Sequence, residues 1–187
     1  AATMTRMQEL GSAFIFKRAI EDNQEYKKPQ DIMDDKDAMK ELRRIWKTIG
    51  KLDDVDEQWI ESFFAQQDVL LKEIGRPKFT KFNREGGFME YITNVVKKFG
   101  ISSKDNWDPA DVWLIEDEDQ AKTLIEKVLS RGSGKATMSR LSEFNAIMRI
   151  LFNTRKVFGI SLKKVAKGQP ARCLLYTSDA ADEFSCV

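Results

Sequence analysis

The fold is decided by Asp111-Val-Trp-Leu-Ile115 and by Val157-Phe-Gly-Ile-Ser-Leu-Lys-Lys-Val165, two short apolar segments. Both are rich in β-branched and aromatic residues, a composition typical of buried strands. The first segment follows a turn-like stretch in which Pro109 favours an extended conformation for the residue before it. We therefore predict two core strands, the first of which begins at Asp111.

Helical periodicity surrounds the two predicted strands. Apolar residues recur at spacings of three and four positions, which indicates amphipathic helices. The predicted helices cover residues 4–22, 38–49, 56–74, 88–98, 116–131 and 137–153. Asp37 is expected to cap the second helix and Gly50 to end it. The stretches 23–37 and 78–84 are predicted to be loops.

These elements predict a helix-rich α/β fold with a small central mixed β-sheet. Residues 1–100 form a helical N-terminal region that contributes the first core helix. Residues 101–172 form the α/β core, with two helices inserted between the core strands. Residues 173–187 resemble the translated read-through of a sequencing adapter, a string familiar from metagenomic reading frames. We expect this tail to be non-native and the fold to be truncated near Arg172.

The composition excludes several chemistries. The sequence contains no His, and its two Cys residues, Cys173 and Cys186, both lie in the suspect tail. Zinc fingers, Cys/His catalysis and Ser-His-Asp triads are therefore excluded. A metal would have to be held by carboxylates and backbone oxygens, which favours Mg²⁺ or Mn²⁺. The formal net charge of +1 is compatible with a nucleic-acid partner but argues for it only weakly.

No run of apolar residues is long enough for a membrane span, so we expect no membrane contact.

The predicted second strand has an unusual polar face. By the two-residue period of a strand, Ile160 and Leu162 share one face while Ser161 and Lys163 share the other. A carboxylate that holds a metal, with a lysine nearby, suits metal-dependent phosphodiester cleavage. Asp111 and Lys163 are the candidates for these two groups.

Pro109-Ala-Asp111 before one strand and Ile160-Ser-Leu-Lys163 in the next resemble the PD-(D/E)XK nuclease superfamily. The resemblance implies a restriction-endonuclease-like sheet and a metal-dependent nuclease that acts on DNA. Asp111 would be a metal ligand and Lys163 the catalytic lysine. Glu9, in Met7-Gln-Glu9 on the first helix, would be a second metal ligand and part of the catalytic set.

The same resemblance implies substrate contacts for Gln8, Ser161 and Lys164, and Mg²⁺ or Mn²⁺ as the cofactor. The chain is also similar to uncharacterised proteins of large tailed phages, around Lys104–Trp113 and Gly159–Lys164. That similarity implies a virus-encoded protein in the host cytoplasm or in the virion. It leaves the oligomeric state open.

The sequence departs from the family pattern at the triplet. Ser161 occupies the acidic position, so a carboxylate would have to come from elsewhere, for which the candidates are Asp108, Glu116 and Glu143. About fifty residues separate Asp111 from the triplet lysine, more than in the simplest members.

Plainer interpretations stand beside the catalytic one. Asp111 could cap a turn, Lys163 could reach solvent from an edge strand, and Glu9 could lie in the exposed first turn of its helix. The alternating basic and aromatic residues of Lys78–Arg84 suit either a nucleic-acid contact or a plain loop. Trp107 and Trp113 are expected in the core. The alternative functions are a catalytically inactive nucleic-acid-binding module and a phage structural or assembly protein.

Overall fold

The structure, a computed structural model, describes residues 2–50, 57–76, 78–79, 81–83, 87–108, 110–131, 138–162, 173–176 and 183–185. The chain divides into two compact units, one built on Ala1–Lys78 and the other on Phe79–Ser161. We call them the N-terminal unit and the C-terminal unit. No helix in the described part of the chain combines the length and the apolar character needed to cross a bilayer.

In the residues that the structure describes, the N-terminal unit has four helices. They are α1 (Ala2–Glu21), α2 (Pro29–Asp34), α3 (Lys36–Ile49) and α4 (Glu57–Ile74). Helix α1 packs against both α3 and α4. The predicted helices 4–22, 38–49 and 56–74 are therefore present with small shifts of their ends. The loop predicted over residues 23–37 is wrong in part, because α2 lies within it.

Buried polar side chains as well as apolar ones join the helices of the N-terminal unit. Ser12 of α1 donates a hydrogen bond to Gln66 of α4, and both side chains are fully buried. Gln67 accepts from the backbone N–H of Tyr26 and donates to its carbonyl, each at 3.0 Å. A Cβ added to Gly11 would overlap the ring of Phe63, so the absence of a side chain lets the two helices approach closely.

The cap of α3 differs from the prediction. The N-cap is Asp35, not Asp37, and its carboxylate accepts hydrogen bonds from the N–H groups of Asp37 and Ala38. The other carboxylate oxygen accepts from the Tyr26 hydroxyl at 2.7 Å and from Arg18 at 2.8 Å. These long-range partners make Asp35 the carboxylate that joins α1, the following loop and α3.

In its described residues, the C-terminal unit combines helices with the first strands of a small sheet. The strands are β1 (Lys81–Asn83), β2 (Val112–Ile115) and β3 (Val157–Leu162), and the helices are α5 (Gly87–Lys98), α6 (Glu118–Leu129) and α7 (Met138–Asn153). Asp117 caps α6 by accepting a hydrogen bond from the N–H of Gln120. A short 3-10 turn, Lys104–Asn106, precedes β2.

The sheet places β2 between β1 and β3. Val112 pairs with Ile160 and Ile115 with Val157, and the β1–β2 and β2–β3 pairings are both antiparallel. The order continues to β4 (Cys173–Tyr176) and β5 (Glu183–Ser185). Both described registers are antiparallel, so the parallel component of the predicted mixed sheet is not among them. Strand β1 lies in the stretch 78–84, where the loop prediction is wrong.

The core of the C-terminal unit is aromatic. All four residues of β2 are buried, and Trp113, with 1% of its surface exposed, contacts Phe88 edge to face. Trp107 stacks on Phe144 with 4.9 Å between the ring centroids. The prediction that Trp107 and Trp113 belong to the core is confirmed.

An ion pair attaches β1 to α6. The buried carboxylate of Glu118 accepts from Lys81 at 2.6 Å and from Lys122 at 2.5 Å. Burial alone would raise the pKa of Glu118, but the hydrogen bonds from Lys122 and Lys81 outweigh that effect and lower the pKa below its usual value. The strand that the sequence pattern did not predict is thus held by a charge pair as well as by its backbone.

The Asp35 contacts predict an acid-dependent part of the stability. Burial would raise the pKa of Asp35, but the Ala38 N–H, the Tyr26 hydroxyl and Arg18 together lower this pKa below its usual value. Stability from a depressed carboxyl pKa is present above the unfolded-state pKa and is lost as the pH falls through the folded-state pKa. Asp35→Asn keeps a good helix cap. We expect it to cost about 1–2 kcal/mol at neutral pH through the lost charge contacts.

Urea unfolding at about pH 7 and about pH 3 measures this effect. The difference between the wild-type protein and Asp35→Asn should shrink at the lower pH. Asp34→Asn is the matched control, because Asp34 is an exposed carboxylate at the end of α2. A difference for Asp35→Asn that is independent of pH would contradict the assignment.

Candidate functional site

Asp111 and Ser161 meet where β2 begins and β3 ends. The Asp111 N–H donates to the Ile160 carbonyl at 2.9 Å, which extends the β2–β3 ladder by one step. The Ser161 hydroxyl donates to Oδ2 of Asp111 at 2.6 Å. Ser161 is 1% exposed and Asp111 is half-buried. One side of the site, at Ser161, is therefore buried between the strands. The Asp111 carboxylate lies at the border between this buried side and solvent.

Lys104 holds the turn that leads into Asp111. Its ammonium group is buried and donates to the carbonyl oxygens of Asp108 at 2.8 Å and Ala110 at 2.7 Å. Oδ1 of Asp108, itself 2% exposed, accepts from the Ala110 N–H at 2.8 Å. A buried ammonium group is costly unless it is hydrogen-bonded, and here the backbone provides the acceptors. The conformation of the backbone immediately before Asp111 is therefore over-determined.

Two further contacts fix the position of this turn. The indole N–H of Trp107 donates to Oδ1 of Asn145, on α7, at 2.8 Å. A Cβ added to Gly159 would lie 2.8 Å from the Cβ of Ala110 and 3.4 Å from Oδ2 of Asp108. The turn therefore packs directly against the backbone of β3, at a distance that only glycine permits.

The other predicted site residues belong either to the N-terminal unit or to positions that the structure does not describe. Gln8 and Glu9 belong to α1 in the N-terminal unit, with 4% and 2% of their surfaces exposed. The interpretation of Glu9 as an exposed first-turn carboxylate is wrong, because α1 begins at Ala2 and Glu9 is buried. Nε2 of Gln8 is buried and has no hydrogen-bond partner among the described residues. Lys163 and Lys164 lie outside the described residues.

The three carboxylates considered as replacements for the acidic position have other contacts. Asp108 is used within the turn before β2. Glu116 lies 3.5 Å from the ammonium group of Lys156, across the β2–β3 pair. Glu143 lies 3.9 Å from Arg131 and is well exposed. Within the described ranges, no three Asp, Glu, Cys or His side chains are grouped so that they could hold a metal ion.

The donors at the site match a hard cation in type. The Asp111 carboxylate and the Ser161 hydroxyl both present oxygen, which is the ligand atom that Mg²⁺ and Mn²⁺ prefer. Mg²⁺ is commonly held by only one or two carboxylates, with water and substrate phosphate completing its shell. The Asp111 and Ser161 pair thus offers oxygen donors of the type that a divalent cation prefers, while the described residues include no group of three carboxylates that could hold a metal ion.

Lys104 and Asn145 are contributors for which the sequence offered no signal. The partners of Lys104 are backbone carbonyls, and because every residue has a carbonyl, the sequence cannot show which of them Lys104 binds. Asn145 lies on a helix more than thirty residues from Trp107, so only the folded chain brings them together (the separation is 38 positions).

Comparison of the chain with family models, with curated proteins and with solved structures found no match in any of the three.

The buried ammonium group predicts a stability role for Lys104. Lys104→Met keeps most of the side-chain volume but leaves two buried carbonyls without their donor. We expect a loss of about 2–4 kcal/mol in the free energy of unfolding, because each orphaned buried acceptor costs about 1–3 kcal/mol. Lys97→Met, at an exposed position of α5, is the control and should change it by less than about 0.5 kcal/mol. Equal urea midpoints for the two variants would contradict this role.

Proposed function

We propose that the chain is a metal-dependent, nuclease-like protein that acts on DNA, with Asp111 and Ser161 at the centre of its phosphodiester site. The observation that carries the proposal is the 2.6 Å hydrogen bond from Ser161 to Asp111 across the β2–β3 pair. In the PD-(D/E)XK pattern an aspartate that opens one strand faces the acidic position of a triplet on the next strand. Here the corresponding positions, 111 and 161, are in direct contact, which supports the analogy in geometry.

The chain's own residues would divide the work as follows. Asp111 would hold the cation, and Ser161 would orient the carboxylate by donating its hydrogen bond. The ammonium group of Lys104, through the two carbonyls, would keep Asp111 at the mouth of the site. A divalent cation bound there would supply Lewis acidity to the phosphodiester. Lys163 as the catalytic lysine and Glu9 as a further ligand remain parts of the proposal that follow from the resemblance.

A catalytically inactive nucleic-acid-binding module is the second candidate. The same hydrogen bond favours it, because the hydroxyl of Ser161 already engages Oδ2 of Asp111. A serine at the acidic position supplies a neutral ligand, which attracts a divalent cation less strongly than a carboxylate does. The two candidates share the fold and the partner and differ only in cation binding and cleavage.

Cleavage of supercoiled DNA by the full chain, in Mg²⁺, Mn²⁺ or EDTA, separates the two candidates. We expect Asp111→Asn and Lys163→Ala to reduce metal-dependent cleavage by at least about 100-fold, because each removes a group with a direct role. Asp119→Asn removes an exposed carboxylate of α6 in the same unit and serves as the matched control. It should stay within about twofold of the wild-type rate.

Calorimetric titration with Mn²⁺ gives a second, independent measurement. Ser161→Asp would place a carboxylate beside Asp111, and we expect about tenfold tighter Mn²⁺ binding and a larger thermal shift on adding Mn²⁺. Cleavage and Mn²⁺ binding that are both absent from the folded wild-type chain would overturn the nuclease proposal. If Ser161→Asp then gained Mn²⁺ binding, the inactive binding module would be the better assignment.

A further inference from the structure

The outer face of α3 carries a row of cations. Lys36, Lys40, Arg43, Arg44 and Lys47 are all exposed, and at 100° per residue they fall within an arc of about 100° on the helix. We call these five residues the α3 cationic ridge. The ridge runs for about 16 Å along the helix axis, given a rise of about 1.5 Å per residue. The same surface contains a shallow open groove lined by Lys40, Arg43, Arg44 and Lys47 together with Asp37, Glu41 and Thr48.

The opposite face of α3 is used for packing. Ala38, Met39, Leu42 and Trp46 are buried, and Trp46 packs at 6.3 Å from the ring centroid of Phe63. Because the apolar side chains of α3 are buried in this packing, the exposed face of the helix is charged rather than apolar. A helix that inserts into a lipid surface needs an available apolar face.

The carboxylates of α3 neutralise the ridge only in part, at Arg44. Glu41 is held by Arg44 through hydrogen bonds of 2.8 and 2.5 Å. Asp37 lies at the flank and donates its N–H to the Asp35 cap. Within the described part of the chain, no hydrogen bond or ion pair engages the ammonium groups of Lys36, Lys40 or Lys47. Neighbouring like charges at spacings of three and four residues repel one another, and a bound polyanion would relieve that repulsion.

We propose that the α3 cationic ridge is a docking surface for the phosphodiester backbone of duplex DNA. Residues three or four positions apart on a helix have Cβ atoms about 5–6 Å from one another, so the cations of the ridge are neighbours on the helix surface. A continuous row of lysine and arginine can neutralise several phosphates of a duplex, and such backbone contact is independent of sequence. The inference shares with the proposed function the expectation of a DNA partner, but it needs neither metal binding nor cleavage.

Fluorescence anisotropy of a labelled DNA duplex, titrated with the full chain in EDTA at several NaCl concentrations, tests the ridge. The test variant is Lys40→Gln, Arg43→Gln and Lys47→Gln combined. We expect the slope of log affinity against log salt to fall by about 2–3 and the affinity at moderate salt to fall by at least about tenfold. Lys40→Arg with Lys47→Arg keeps the charge and should bind as the wild type does.

The matched control removes three exposed lysines elsewhere, by Lys97→Gln, Lys98→Gln and Lys127→Gln on α5 and α6. It produces the same change in net charge and should alter the affinity by less than about threefold. Circular dichroism and urea unfolding establish that every variant is folded. Equal losses in the control and the ridge variant would overturn the proposal, since net charge alone would then explain binding.

Two other outcomes would also overturn it. One is a wild-type chain that binds no duplex even at low salt. The other is ridge substitutions that leave DNA binding intact but abolish binding to vesicles of phosphatidylcholine and phosphatidylserine, which would make the partner a lipid surface. Because all arms contain EDTA, failure of the nuclease proposal leaves this test unaffected. If the chain cleaves DNA but the ridge substitutions leave its DNA affinity unchanged, only the ridge proposal is contradicted.

Discussion

Burial of β2 on both faces is the constraint on which the C-terminal unit depends. Val112, Trp113, Leu114 and Ile115 are each at most 1% exposed, so no residue of the strand itself can present a polar group to solvent. A strand of this kind can support chemistry only at its ends. Asp111 stands at one end, beside Ser161, and Glu116 stands at the other, where its N–H donates to the Lys156 carbonyl at 2.8 Å. The site lies at a strand end because the strand interior is fully used for packing.

Periodicity was sufficient for the helices and for β2 and β3, because each of them buries an apolar face over several residues. It failed for β1, since three residues are too few to define a period and the strand is formed by its pairing with β2. It failed again at the cap of α3. Asp34, Asp35 and Asp37 are alike in sequence, and only the distant Tyr26 and Arg18 select Asp35.

The candidate site was predictable where it rested on strand order. The sequence places Asp111 at the start of one predicted strand and Ser161 on the next. The antiparallel register then brings the two side chains into contact. Lys104 was not predictable, because its partners are carbonyl groups common to every residue. The burial of Glu9 had a weak signal in its spacing of four residues from the buried Ala13. The helix dipole favours a carboxylate in an exposed first turn, which led to the wrong expectation for Glu9. Glu9 is buried because α1 begins at Ala2 and packs along its length.

Two electrostatic regimes coexist in the chain. The Ser161 and Asp111 hydrogen bond is partly buried between the strands, so salt screens it less than it screens exposed charges. The α3 cationic ridge is exposed, and its field falls off over a Debye length of about 8 Å at physiological ionic strength. Ionic strength should therefore act on encounter with a charged partner and leave the geometry at position 111 unchanged. This separation allows the two features to be studied independently in one molecule.

The ion pair at β1 has a further consequence for behaviour in concentrated solution. Strand β1 forms one edge of the sheet order, and an exposed edge is a template on which another chain can add a strand. Among the described residues this edge is three residues long, and it carries Lys81, whose ammonium group is held at Glu118. An incoming strand would meet a fixed charge and would gain few backbone hydrogen bonds. The contact that attaches β1 to α6 would thus also disfavour self-association by edge pairing.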